Sequence, residues 1–258
     1  MQGNNNKRSF AFSARGFMAL CAVLAMGLGL LASPAAAPFA YVANFDNPGT
    51  VSVIDTATNI LVATIPVGPQ PEGVVVTPDG KHAYVVNEED NTVSVIDTAS
   101  NMVVATVSAG SRPVAVAVTP DGTQAYVVNS GIFPAFGSVS VIDTPANTVV
   151  STIPVDVFPL GVAITPDGKH AYVTIDFSNT VSVIATASNT VVATVTVGTH
   201  PVGVAVTPDG TQAYVANSSD GNVSVIATAT NTVVATVAVG IGPLGSGPIN
   251  FRVIQSLH

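Results

Sequence analysis

Short segments in which apolar and polar residues alternate recur along most of the chain. Examples are VAVAV, QAYVV, TVSVI and TVVATV, which are rich in β-branched residues and have the two-residue period of a strand. Pro-Asp-Gly and Thr-Ala-Ser-Asn segments, which favour turns, separate them. The pattern predicts short antiparallel strands joined by tight turns.

These segments repeat with a nearly constant period. VSVI occurs five times and TPDG four times, with steps of 42, 46 and 42 residues between the TPDG segments, which begin at Thr77, Thr119, Thr165 and Thr207. Five units of four strands are therefore expected. A unit of about 42 residues cannot bury both faces of its own sheet, but units stacked face to face around an axis can.

The repeated segments resemble those of a known family. AYVAN, AYVVN, AYVVN, AYVT and AYVAN, each followed by VSVI, a TVVATV-like segment and VG-x-x-P, are similar to the YVTN β-propeller repeat of secreted and surface-layer proteins, over about Phe39 to Ile254. The resemblance implies an all-β fold, a β-propeller of about five four-stranded blades. Such propellers mostly serve as scaffolds, and related ones carry unrelated chemistry, so the resemblance is specific for fold and not for function.

The ends of the chain are out of phase with the repeat. The first unit begins at its second strand, PFAYVAN, and the chain ends in PINFRVI, where Ile249, Phe251 and Val253 alternate as in a strand. We expect this last segment to become the innermost strand of the first blade, so that pairing of the two terminal strands closes the ring and leaves no unpaired edge. The alternative is an open arc completed by another chain, since relatives of this repeat often have seven blades.

The N-terminal stretch has the features of an export signal. Three basic residues precede the apolar run MALCAVLAMGLGLLA, and the small-residue segment SPAAA follows it. We expect a signal peptide over residues 1–35, cut near Ala35 or Ala36, and a single propeller domain over residues 36–258. The run is shorter than the roughly 20 residues that span a bilayer, so an uncleaved anchor is the lesser alternative. The predicted location is the periplasm, the cell surface or the medium, with no stable membrane insertion after signal removal.

Composition excludes several classes of function. The single cysteine, Cys21, lies in the signal segment, so thiol chemistry and disulfides are not expected. The chain has 7 basic and 15 acidic residues, and the basic ones are scattered, which argues against nucleic acid as a partner. The sequence contains no GxSxG, HExxH or P-loop motif. We predict no cofactor, no metal site and a monomer.

Positions that repeat are assigned to the scaffold. All five tyrosines occupy one repeat position and are expected to be core residues, and seven aspartates repeat at turns. The other acidic residues fall in loops that, in the implied propeller, emerge on one face. They form either a solvated acidic surface or, at Glu88, Glu89 and Asp90, oxygen ligands for calcium.

Positions that do not repeat are the candidates for binding. Large apolar residues collect in the same loops, two of them phenylalanines of the insertion SGIFPAFGS, and the partner-binding candidates are Ile132, Phe133, Phe136, Phe158 and Phe177. These side chains either bury one another or form a partner-binding patch. A second set surrounds the predicted axial opening, where the units differ just before and after the inter-blade proline, and comprises Gln70, Glu72, Arg112 and His200.

Two classes of function remain. We predict a non-catalytic extracytoplasmic scaffold that binds a protein or a cell-envelope component through one loop face. The alternative is a propeller enzyme, lactonase-like or lyase-like, with its site at the axial mouth. The sequence offers few polar groups there, which favours the first class.

Overall fold

The computed structural model describes residues 39–243, which form nineteen strands in five antiparallel sheets and, within this range, no helix. The strands are β1 (Phe39–Asn44), β2 (Thr50–Asp55), β3 (Ile60–Pro66), β4 (Pro71–Val76), β5 (His82–Asn87), β6 (Thr92–Asp97), β7 (Met102–Ser108), β8 (Pro113–Val118), β9 (Gln124–Asn129), β10 (Ser138–Asp143), β11 (Thr148–Pro154), β12 (Pro159–Ile164), β13 (His170–Ile175), β14 (Thr180–Ala185), β15 (Thr190–Thr196), β16 (Pro201–Val206), β17 (Gln212–Asn217), β18 (Asn222–Ala227) and β19 (Thr232–Ala238).

Each sheet is built from strands that are consecutive in the chain. The sheets are β1-β2-β3 (blade 1), β4 to β7 (blade 2), β8 to β11 (blade 3), β12 to β15 (blade 4) and β16 to β19 (blade 5). The strands β4, β8, β12 and β16 contact one another in succession and are therefore innermost, whereas the last strand of each blade is outermost and largely exposed. The prediction of an all-β propeller of five blades is confirmed. Blade 1 begins at its second strand, as the sequence indicated, and has three strands among the described residues.

The core lies between neighbouring blades. Valine and isoleucine side chains from one blade interdigitate with those of the next in four separate clusters, one for each pair from blades 1 and 2 to blades 4 and 5. The repeated tyrosines reach across these interfaces: the hydroxyl of Tyr172 donates to Asn231 Oδ1 of the next blade at 2.7 Å, and that of Tyr126 donates to Asn189 Oδ1 at 2.6 Å. Tyr41, Tyr84, Tyr126 and Tyr172 are buried and are scaffold residues, as predicted, whereas Tyr214 on the last described blade is half-buried and donates to Gln212 of its own strand.

The Pro-Asp-Gly turns are held by a repeated hydrogen-bond pattern. In the turn of blade 4, Thr165 Oγ1 donates to Asp167 Oδ1 at 2.6 Å, and the same oxygen accepts from the backbone N–H of His170 at 3.0 Å. Gly168 has a φ of 73°, which a side chain would disfavour. The hydrogen bond from Thr165, more than any other cause, lowers the pKa of Asp167 to about 2. These aspartates therefore stabilise turns, as their repetition indicated.

The two end blades differ from the others. Val237 of β19 is 48% exposed, whereas its counterparts in the other blades, Ile65, Val107, Ile153 and Val195, are 3–6% exposed. No hydrophobic cluster joins blade 5 to blade 1 among residues 39–243. The terminal strand predicted to close the ring and the predicted signal peptide lie outside the described residues. Ring closure therefore stays a prediction.

Candidate binding face

One end of the propeller carries both the loops between the second and third strands of each blade and the links between blades. We call this end the loop face. The opposite end carries the Pro-Asp-Gly turns, because successive strands are antiparallel. All nine sequence-predicted candidates lie at or next to the loop face, and the structure brings six of them together in two groups, whereas Gln70, Ile132 and Phe136 belong to neither.

The link residue before each inner-strand proline has a left-handed backbone. Values of φ are 50° at Gln70, 53° at Arg112, 66° at Phe158, 53° at His200 and 63° at Gly242. Gly242, which precedes Pro243, has the same conformation. At Arg112 the N–H donates to Asn91 Oδ1 at 2.8 Å, and at His200 the N–H donates to Asn179 Oδ1 at 2.9 Å. At these two links an asparagine in the loop of the preceding blade thus holds the backbone of the link residue.

The first group is charged and lies near the axis. Arg112 Nε donates to Glu88 Oε1 at 2.8 Å, and a second guanidinium nitrogen contacts the same oxygen. Glu72 lies next to this ion pair on the inner strand β4. Burial, and secondarily the charge of Glu88, raises the pKa of Glu72 to about 8, although Arg112 opposes the shift. Glu72 is therefore protonated at neutral pH and can donate a hydrogen bond.

The second group is aromatic. Phe177 lies at its centre, with ring centroids 5.6 Å from Phe133, 5.3 Å from Phe158 and 6.2 Å from His200. We call these four residues the aromatic cluster. The imidazole of His200 is held by Asp176, whose Oδ1 lies 2.9 Å from Nδ1. The cluster joins the long loop of blade 3, the loop of blade 4 and the links that lead into blades 4 and 5.

The aromatic cluster is a surface feature. Phe133 is 64% exposed and Phe177 53% exposed, so these rings contact each other without being buried. Phe136 and Ile132, at 74% and 65% exposed, lie on the same insertion, but Phe136 makes no ring contact within residues 39–243. A cavity of about 400 Å³ lies elsewhere, at the turns of blades 3 and 4 around Asp121 and Asp167.

Two parts of the arrangement were not expected from the sequence. His200 was predicted among the axial residues, but its ring lies in the aromatic cluster. Gln70 was predicted in the same axial set, and its backbone N–H donates to the carbonyl of Asp46 at 2.9 Å. The ion pairs Arg112–Glu88 and His200–Asp176 were also missed. In each pair the basic residue of the link follows the acidic residue of the loop by 24 residues, so an alignment of the repeats shows the same spacing twice.

The three acidic residues considered for calcium point to different partners. Glu88 pairs with Arg112, Glu89 accepts from Asn47 Nδ2 at 3.0 Å, and Asp90 accepts from Thr92 Oγ1 at 2.6 Å. Within the part of the chain that the structure describes, no group of three or more His, Cys, Asp or Glu side chains is placed to hold a metal ion. In that same part, no helix has the length and hydrophobicity to cross a bilayer.

Solved structures with the same fold are numerous. Hydrazine synthase of Kuenenia stuttgartiensis aligns with a TM-score of 0.72 and 24% identity, over 80% of this chain and 73% of that one. A functionally unknown protein from Desulfotomaculum acetoxidans aligns with a TM-score of 0.71 and 24% identity, over 79% of this chain and 67% of that one. At this level of identity the similarity confirms the propeller fold and says nothing of activity. No curated protein matches the chain significantly.

A family assignment comes from the sequence of the first four blades. The choice-of-anchor I domain matches residues 34–193, which is more than half of the 258 residues. The narrower YVTN assignment stays a resemblance, since the matching family is a different one. The chain belongs to the choice-of-anchor I domain family.

Proposed function

We propose that the protein is a non-catalytic, exported β-propeller that binds a protein or another cell-envelope component through its loop face. A choice-of-anchor domain is typical of exported or cell-surface proteins, which agrees with the export signal expected from the sequence. The blades supply a rigid frame, because their repeated residues are used in turns and inter-blade contacts. The residues that do not repeat are left for recognition.

The observation that carries this proposal is the exposure of the aromatic cluster. A phenylalanine ring can bury about 150–250 Å², and Phe133 and Phe177 leave more than half of their surface accessible. Phe136 and Ile132 on the same insertion add two more side chains that are more than half exposed, and large exposed apolar patches often mark interaction sites. An open surface of this kind suits a macromolecular partner better than a small substrate.

The test is capture of partners from a cell-envelope extract by the purified protein. The variant Phe133→Ser/Phe177→Ser should lose capture while its melting temperature stays within a few degrees of the parent. The matched control is Ile60→Ser/Met102→Ser, which removes two side chains of similar exposure, 59% and 63%, from the outer strands. If both variants capture equally well, or if the Phe variant unfolds, the loop face is not the binding site.

The alternative is an enzyme with its site at the axial mouth. The half-buried Glu72 beside the Arg112–Glu88 ion pair is the specific observation in its favour, since its raised pKa of about 8 lies near neutrality, where a carboxyl can act as a general acid or base. Hydrolysis of a panel of lactones and esters, compared between the parent and Glu72→Gln, tests it. Turnover that Glu72→Gln abolishes would replace the scaffold proposal.

A further inference from the structure

The charges around the aromatic cluster are predominantly negative and are fixed in place. Asp156 lies two residues before Phe158, and its Oδ1 accepts from the N–H of Val157 at 2.8 Å. Asp220 Oδ2 accepts from the N–H of Thr199 at 2.7 Å, directly before His200. Asp176 is bonded to the imidazole of His200, so three carboxylates lie within two residues of, or are bonded next to, members of the aromatic cluster.

The positive charges of the described residues lie elsewhere or are already paired. Lys81 and Lys169 lie at the Pro-Asp-Gly turns of the opposite end, 3.7 Å and 3.3 Å from the aspartates of those turns. On the loop face, Arg112 is engaged by Glu88. The exposed phenylalanines thus lie in a surface with an excess of negative charge.

We propose that the aromatic cluster and the flanking Asp156 and Asp220 bind a protein segment in which basic and apolar side chains are adjacent. An arginine or lysine of the partner pairs with either aspartate or lies over the face of Phe177 or Phe133, since aromatic faces attract cations. Apolar side chains next to it cover the edges of the rings. Electrostatic attraction favours encounter with such a segment and disfavours acidic ones. This inference rests on the proposed function and adds the class of partner.

The probe is a fluorescein-labelled twelve-residue peptide of alternating arginine and leucine, whose binding to the purified protein is followed by fluorescence anisotropy. In one comparison peptide every arginine is replaced by glutamate, and in the other every leucine is replaced by serine. We expect the arginine-leucine peptide to bind at least about tenfold more tightly than either comparison peptide, and its affinity to fall with added salt.

The position of the peptide-binding site on the protein is tested with Asp→Asn variants, which remove a charge and keep the shape of the side chain. Asp156→Asn/Asp220→Asn keeps the acceptor oxygen of each backbone hydrogen bond and removes both charges, and it should weaken peptide binding about fivefold. The control Asp55→Asn/Asp97→Asn does the same at two turns of the opposite end, where these aspartates accept backbone hydrogen bonds at 2.8 Å and 2.7 Å. The control should change the affinity less than about twofold.

The outcomes separate this inference from the proposed function. Equal binding of the glutamate peptide, or equal effects of the two Asp→Asn pairs, would overturn the basic-partner inference even where Phe133→Ser/Phe177→Ser still abolishes capture from extract. Loss of capture in the Phe variant, together with peptide binding that is weakened about fivefold in Asp156→Asn/Asp220→Asn and unchanged in both controls, would support both.

Discussion

The tyrosine-to-asparagine hydrogen bonds between blades are the contacts whose contribution to stability is best defined by the structure. Tyr172 is fully buried on blade 4, and its hydroxyl donates to Asn231 Oδ1 on blade 5 at 2.7 Å. Asn231 lies in the turn between β18 and β19 and has a left-handed backbone, with a φ of 53°. Replacement by Phe removes only the hydroxyl. Replacement of Asn231 by Gly removes the acceptor and tolerates the left-handed backbone.

We predict a coupling free energy of about 1 kcal/mol between Tyr172→Phe and Asn231→Gly. An intramolecular hydrogen bond contributes about 0.5–1.5 kcal/mol net, and Asn231 is partly accessible to water, which keeps the penalty for the unpaired acceptor small. For a domain of this size, about 1 kcal/mol lowers the melting temperature by roughly 2–4 °C. Each single variant should show this loss, and the double variant should lose less than the sum.

The assay is denaturant unfolding of the parent, both single variants and the double variant, followed by far-UV circular dichroism. The double-mutant cycle subtracts the separate cost of each replacement, including the glycine's greater freedom in the unfolded chain. A coupling below about 0.3 kcal/mol would lie within the scatter of independent sites. In that case the blades are held by apolar packing alone and the reasoning is wrong.

Three further predictions concern the ends of the propeller, the axial carboxyl and a turn. If residues beyond 243 close the ring, Tyr214→Phe and Asn59→Gly should couple by about 1 kcal/mol, as at the other interfaces; in the described residues Tyr214 donates only to Gln212, at 3.1 Å. Because the folded pKa of Glu72 is raised from 4.5 to about 8, the free energy of unfolding should fall by roughly 4 kcal/mol as pH rises from 4.5 to 8 and then level off, and Glu72→Gln should abolish this fall in urea titrations. Thr165→Val should raise the pKa of Asp167 from about 2 towards 3.8, measured by NMR titration.

Matched variants make these outcomes specific. Glu89→Gln changes an exposed carboxyl on the same face and should leave the pH dependence of stability as it is in the parent. Thr165→Ser keeps the hydroxyl and should keep the low pKa of Asp167. Independence of Tyr214 and Asn59 would mean that blades 1 and 5 do not meet. A pH dependence that survives Glu72→Gln would place its origin in another group.

The binding candidates show where reasoning from sequence succeeds and where it stops. Phe133, Phe158 and Phe177 were selected because they interrupt the repeat, and the structure brings all three together. Phe136 was selected on the same ground, yet its ring stays apart, because the turn closed by the 2.9 Å bond from Ala135 N–H to the carbonyl of Ile132 separates the two rings of the insertion. The interruption of a repeat identifies residues that are free to vary, but not their contacts.

The strands, the number of blades and the role of the repeated residues could all be read from the repeat pattern. A residue type that returns every 42 residues or so occupies the same register in each blade, so its contacts are the same each time, as for Tyr172 and Asp167. The tertiary structure decided which of the unrepeated residues meet. The spacing of 24 residues could have paired His200 with Asp176, but the contact of His200 with Phe177 depends on how the sheets and the left-handed link place the two rings, which no period in the sequence encodes.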